Sequence, residues 1–172
     1  MKIGVLAVQG AFIEHEHIIE KIGHEVVEIR QRKDLDGIDG IILPGGESTV
    51  QGQLLRKLDM LATIKSLIAD GLPTLATCAG LILLAGHIDN DDSVHIGTLP
   101  VTVKRNAYGR QLGSFVRTAP MKGFDEFPMI FIRAPYISSI KDNVDVLAAV
   151  NDRIVAVQYL SLIHISEPTR LR

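Results

Sequence analysis

Residues 75–86 read LATCAGLILLAG, and they hold Cys78, the only cysteine among 172 residues. A strand-like run, 74–77, stops at the thiol. An apolar run at helical spacing, 79–85, starts immediately after it. Small side chains, Ala76, Ala79 and Gly80, crowd the junction. Read together, these residues predict a sharp strand-to-helix turn with a sulfur at its apex, the arrangement of a nucleophile elbow. Taken alone, Cys78 has a bland alternative, a buried inert thiol packed as a small hydrophobe.

Working outward, the first half alternates strands and helices. Residues 3–8 form a continuous apolar run, as expected of a strand covered on both faces. Residues 11–22 read as a helix, with Phe12, Ile18, Ile19 and Ile22 on one side and Glu14, Glu16, Glu20 and Lys21 on the other. Further strands are expected over 26–29 and 40–43, the latter stopped by Pro44-Gly45-Gly46. Ser48 or Thr49 can cap a helical region in which Leu54, Leu58, Leu61, Ile64 and Ile68 recur, with Gly71 and Pro73 ending it. The pattern predicts an α/β fold, a doubly wound and mostly parallel sheet with helices on both faces.

The second half changes character. Residues 98–104, 114–118, 129–133, 145–150 and 153–158 are strand-like, with a hairpin link at Val150-Asn151-Asp152-Arg153, so an antiparallel portion follows. In open parallel sheets, ligands bind beyond the carboxyl ends of the strands. The loops at Gln9-Gly10, Gly45-Gly46-Glu47-Ser48 and Cys78-Ala79-Gly80 are therefore expected to converge. Gly45-Gly46 suits a backbone that turns an N–H towards a developing oxyanion, although a tight turn would use the same residues.

Composition narrows the classes. The chain is 47% hydrophobic and 22% charged with a net charge of −2, so no basic field points to nucleic acid or anionic membrane. One cysteine excludes an internal disulfide framework and a cysteine-rich zinc site. His15 and His17 are two apart on an expected helix and point away from each other, so no metal site is expected there. The apolar start, residues 1–10, is too short for a membrane span, and a cytoplasmic location is expected. Two basic clusters, 104–111 and 132–135, follow strand-like segments. Arginines there can hold a substrate carboxylate or can be solvated loop charges.

Five motifs in register resemble one family. They are V-Q-G at 8–10, L-P-G-G-E-S-T at 43–49, T-C-A-G-L-I-L-L-A at 77–85, R-N-x-x-G-R-Q at 105–111 and F-I-R-A-P at 131–135. Together they are similar to the glutaminase subunit of pyridoxal 5′-phosphate synthase, a class I glutamine amidotransferase, from Met1 to about Gln158. The resemblance implies Cys78 as nucleophile towards the side-chain amide of glutamine. It further implies that Gly46, Glu47, Ser48, Arg105, Ile132 and Arg133 bind that substrate. It implies no cofactor, and release of ammonia to a partner synthase subunit in a hetero-oligomer. Members often carry Gly two residues before the nucleophile, where this chain has Ala76.

The last residues depart from that pattern. The family's acid–base histidine and its orienting glutamate stand in a late F-H-P-E motif, which is missing here. His164 and Glu167 are separated by two residues instead of one, which sends them to opposite faces of a strand. Residues 1–158 are thus expected to form an amidotransferase domain incomplete at its C-terminus. Residues 159–172 read as a non-native tail, and the chain is expected to be catalytically impaired. Two other readings stay open on the residues alone: a non-catalytic regulatory or docking module for the synthase subunit, and an amidase for another substrate.

Overall fold

The computed structural model describes residues 1–89, 91–105, 115–131, 135–160 and 162–165. Ile132 and Arg133 lie outside these residues, as does Glu167. The parallel core is built from β1 (Lys2–Leu6), β2 (Glu25–Ile29), β3 (Gly40–Leu43) and β4 (Thr74–Thr77), in the order β2-β1-β3-β4. Helices α1 (Ile13–Lys21), α2 (Ser48–Lys57), α3 (Leu61–Ala69) and α4 (Ala79–Leu84) connect these strands or follow them.

Alternation along the strands sorts the two faces. Val5 and Ile42 pack with Ile19 of α1, joined by Phe12 and Val26. Leu6, Ile41 and Leu43 belong to a larger core with Leu55 of α2, Ile64 of α3 and Leu81 of α4. Successive strand residues thus serve opposite layers, as a doubly wound sheet requires. At about 25 cal/mol per Å² of apolar surface buried, this two-sided burial is the main force holding the layers together.

The helical region after Ser48 is two helices instead of one. Asp59 takes a left-handed conformation, φ 53°, between α2 and α3, and breaks the helix at a point where apolar spacing alone runs on. Helix α2 is also capped differently from the expectation. Glu47, rather than Ser48 or Thr49, is the N-cap, its carboxylate accepting from the Thr49 and Val50 N–H groups. A carboxylate at that end has a charge advantage over a hydroxyl, because it faces the positive end of the helix dipole.

Beyond α4 the strands are β5 (Ala85–Ile88), β6 (Leu99–Lys104), β7 (Phe115–Met121), β8 (Phe124–Phe131), β9 (Tyr136–Ile140), β10 (Asp145–Val150), β11 (Arg153–Tyr159) and β12 (Leu162–Ile165). The sheet continues from β4 through β12, β11, β9, β6 and β5, with β10 on β11, while β7 and β8 form a separate pair. The pairs β11–β12, β9–β11, β6–β9 and β10–β11 are antiparallel. The hairpin at Asn151-Asp152 has positive φ at both residues, 50° and 60°, which matches the twist of the flanking strands.

Strand β12 lies within the segment read from sequence as a tail. It pairs parallel with β4, Ile165 opposite Thr77, and antiparallel with β11. A fold reading that stops at Gln158 therefore omits a central strand. β5 and β9 are likewise additions to the strands read from sequence.

Candidate active site

Cys78 is the N-cap of α4, with φ 48° and ψ −103°. A non-glycine residue held there is strained, and such strain persists only where the surroundings over-determine it. Three features do so. Gly80 packs so closely on β3 that a Cβ would overlap the Leu43 carbonyl oxygen. Ala76, on the strand side, is fully buried. Thr77, one residue before the thiol, has its hydroxyl 3.4 Å from His15 Nε2. Burial pushes the His15 pKa down, against a smaller upward pull from Glu14, which favours the uncharged form of the ring. Cys78 itself is half-buried, reachable from outside.

The glycine loop faces this elbow. A Cβ built on Gly45 would lie 3.5 Å from Cys78 Cβ, so backbone stands where a side chain would otherwise shield the sulfur. The loop is tied to the one after β1. Ala11 N–H donates to the Gly45 carbonyl at 2.9 Å, and Glu47 N–H donates to Gln9 Oε1 at 2.9 Å. The Gln51 carboxamide donates to the Gln9 carbonyl at 2.9 Å and to the Pro44 carbonyl at 3.3 Å. Gly10, at φ 107°, admits this approach, since a Cβ there would strike the Gly45 carbonyl oxygen. At Gly46 a Cβ would meet Gln9 Oε1 at 2.6 Å. The three loops expected to converge are thus in contact.

Arg105, 58 residues beyond Glu47 in the chain, reaches the glycine loop from the end of β6. Its Nη2 donates to Glu47 Oε1 at 3.3 Å and to Thr49 Oγ1 at 3.1 Å, and its Nη1 donates to Asp91 Oδ2 at 2.9 Å. Among the sequence-derived candidates, Cys78, Gly46, Glu47, Ser48 and Arg105 therefore cluster at one end of the sheet. Ser48 Oγ is buried without a hydrogen-bond partner among the described residues. A buried hydroxyl of this kind costs free energy for as long as it lacks a hydrogen-bond partner.

Sequence reasoning gave no role in the site to Gln51, Asp91, His15 or His95. The first two are ordinary polar residues whose partners lie up to 42 positions away, as with Gln51 and Gln9. The histidines had a weak signal: His15 interrupts the charged side of α1, yet it is only 7% exposed.

The electrostatics of Glu47 give a pH dependence. Burial raises its pKa, but the Val50 and Thr49 N–H groups, the Thr49 hydroxyl and Arg105 outweigh that and hold it below the ordinary 4.5. A carboxyl with a depressed folded pKa stabilises fully above the unfolded value and loses that contribution as pH falls through the folded one. E47Q is expected to unfold about 1 kcal/mol more easily at pH 7, from loss of the charged cap. The gap to the parent should narrow below pH 4.5. Urea midpoints from about pH 3 to neutrality check this; a gap independent of pH would refute it.

Comparison with known proteins identifies the family. The SNO glutamine amidotransferase family profile matches residues 5–168. The "Pyridoxal 5'-phosphate synthase subunit PdxT" of Desulfitobacterium hafniense (strain DSM 10664 / DCB-2) is 56% identical over 167 residues, covering 96% of this chain and 84% of that protein. The protein of the same name from Haemophilus influenzae (strain PittEE) is 54% identical over 162 residues, covering 92% and 84%. A crystal structure of a glutamine amidotransferase superposes with a TM-score of 0.90 at 37% identity, over 95% of this chain and 88% of that one. A glutamine amidotransferase from Thermotoga maritima shares the fold alone, at a TM-score of 0.67 and 14% identity over 96% and 74%. The chain belongs to the SNO glutamine amidotransferase family.

Proposed function

We propose that this chain is a glutaminase subunit, hydrolysing glutamine to glutamate and ammonia for a partner synthase subunit that makes pyridoxal 5′-phosphate. The observation that carries the reading is the strained, reachable Cys78 facing the Gly45 backbone. As thiolate, Cys78 Sγ attacks the side-chain amide carbon of glutamine, and the carbonyl oxygen takes the negative charge. A backbone N–H of the Gly45-Gly46 turn stabilises that oxygen. The C–N bond breaks as nitrogen takes a proton, ammonia leaves, and water hydrolyses the thioester to glutamate.

Gly46, Glu47 and Ser48 line the substrate site, and Arg105 supplies positive charge beside it. Ile132 and Arg133 are assigned to the same site by resemblance alone. The cytoplasm is the proposed place of action. No F-H-P-E motif occurs between Gln158 and Arg172; we take 159–172 to be non-native residues, of which 162–165 nonetheless pair as β12. That departure favours a second reading for this chain, a docking module with little turnover of its own.

A glutamine-like chloroketone separates the assembled site from an inert thiol. Cys78 is the sole thiol, so labelling is unambiguous. The expected result is saturable labelling that free glutamine blocks, at least tenfold faster than alkylation by iodoacetamide. Equal rates with no protection by glutamine would refute the substrate assignment.

A further inference from the structure

Arg105 is held in place by Asp91, a residue given no part in substrate binding above. Its guanidinium sits between two carboxylates, each fixed by backbone donors. Glu47 is fixed by the N–H groups of Thr49 and Val50. Asp91 is fixed through Oδ1, which accepts from Ser93 N–H at 2.9 Å, leaving Oδ2 for Arg105.

The segment that carries Asp91 is anchored in turn on α2. Arg56 Nη2 donates to the Val94 carbonyl at 3.0 Å, and Arg56 Nη1 lies 3.3 Å from His95 Nδ1. The His95 ring fills the space that a side chain at Gly52 would take. Asp91 is therefore a preset anchor, and the side chain of its partner Arg105 is only 26% exposed.

The donor arithmetic gives this anchor a function. A guanidinium has five N–H donors, and it presents a carboxylate with a pair drawn from Nε and Nη2 or from Nη1 and Nη2. Both pairs use Nη2, whose two hydrogens go to Glu47 and Thr49 here. Paired capture of a substrate carboxylate must release one of those contacts. Capture through Nε and Nη2 leaves the Nη1 bond to Asp91 intact.

We infer that Asp91 is the positioning residue of the substrate site, holding Arg105 at the glycine loop while its Nη2 exchanges Glu47 for the α-carboxylate of an amino-acid substrate. The inference rests on the glutamine reading. Without Asp91, the long Arg105 side chain must be ordered at each binding event, which weakens binding by about tenfold.

The test is chloroketone labelling of Cys78 in the full chain, resolved into the half-saturating concentration and the limiting rate. Iodoacetamide reports thiol reactivity separately. D91A is expected to raise the half-saturating concentration about tenfold while the limiting rate and the iodoacetamide rate stay within twofold of the parent. D91E, which keeps the carboxylate, is expected to recover most of the loss. An unchanged or lower half-saturating concentration in D91A overturns the inference, because Arg105 then needs no anchor. Equal slowing with both reagents also overturns it, by showing that Asp91 supports the elbow itself. A parent chain that never saturates removes the glutamine reading first, and this inference with it.

Discussion

The triple variant S166F/E167H/T169E is expected to hydrolyse glutamine about 10²–10⁴ times faster than the parent chain, the range a positioned general acid–base commonly contributes. Those three changes around Pro168 write F-H-P-E into the sequence. The register supports the position. Ile165 of β12 lies opposite Thr77 of β4, so the chain leaves β12 level with the elbow that carries Cys78. His164 lies opposite Ala76, two residues short of the thiol's level. Ammonia release with and without the synthase partner measures the gain. H164Q should leave the triple variant within twofold, which separates the new histidine from the old one. A triple variant no faster than the parent, in a chain whose Cys78 still takes the chloroketone, would sink the claim that F-H-P-E at 166–169 supplies an acid–base pair to Cys78.

G80A is expected to destabilise the chain by about 2 kcal/mol and to slow chloroketone labelling about 100-fold. Alanine has the better helix propensity by about 1 kcal/mol, which works in the opposite direction. It loses to sterics. The added methyl would overlap the Leu43 carbonyl oxygen and approach Leu43 Cβ to 2.9 Å, and both belong to a buried strand that cannot swing aside. Overpacking of this kind costs about 1–3 kcal/mol, and a rigid neighbour puts it at the upper end. The kinetic effect follows from position. Gly80 is two residues from Cys78, and a shift of about 1 Å at reacting atoms costs on the order of 10² in rate. Urea unfolding and labelling rates check the two parts. A similar change at Gly71 serves as control, since nothing lies within 4 Å of a Cβ there. Its φ of 99° still strains any side chain, so G71A should lose stability without losing selective labelling.

Much of the parallel core was legible because its strands are short runs rich in Ile, Val and Leu, with glycine or proline beside several of them, as at Pro44 after β3 and Pro73 before β4. Gly40–Leu43 and Thr74–Thr77 have the bounds expected from sequence. The break at Asp59 was not legible, since apolar spacing continues across it from Leu58 to Leu61 and the interruption is a backbone conformation. Tyr136–Ile140 was missed as a strand because Ser138 and Ser139 interrupt its apolar pattern. The elbow could be read because strand, thiol and helix are contiguous. Asp91 could not, since nothing local distinguishes one acidic loop residue from another; its meaning comes from Arg105, 14 residues on.

Strand β12 has a further consequence, for the order in which the molecule assembles. It is the last described strand in sequence, yet it lies between β4 and β11, near the middle of the sheet. Until it is made, a nascent chain holds two partial sheets with open edges on both sides of the gap, and the rim beside the thiol is one of them. Unpaired edges of this kind template wrong pairings between chains. Joining β12 to β4 also closes a loop of roughly 90 residues, which delays the final step of folding. Mispairing and aggregation should therefore concentrate in the interval before β12 joins, and changes to that strand should reduce yield.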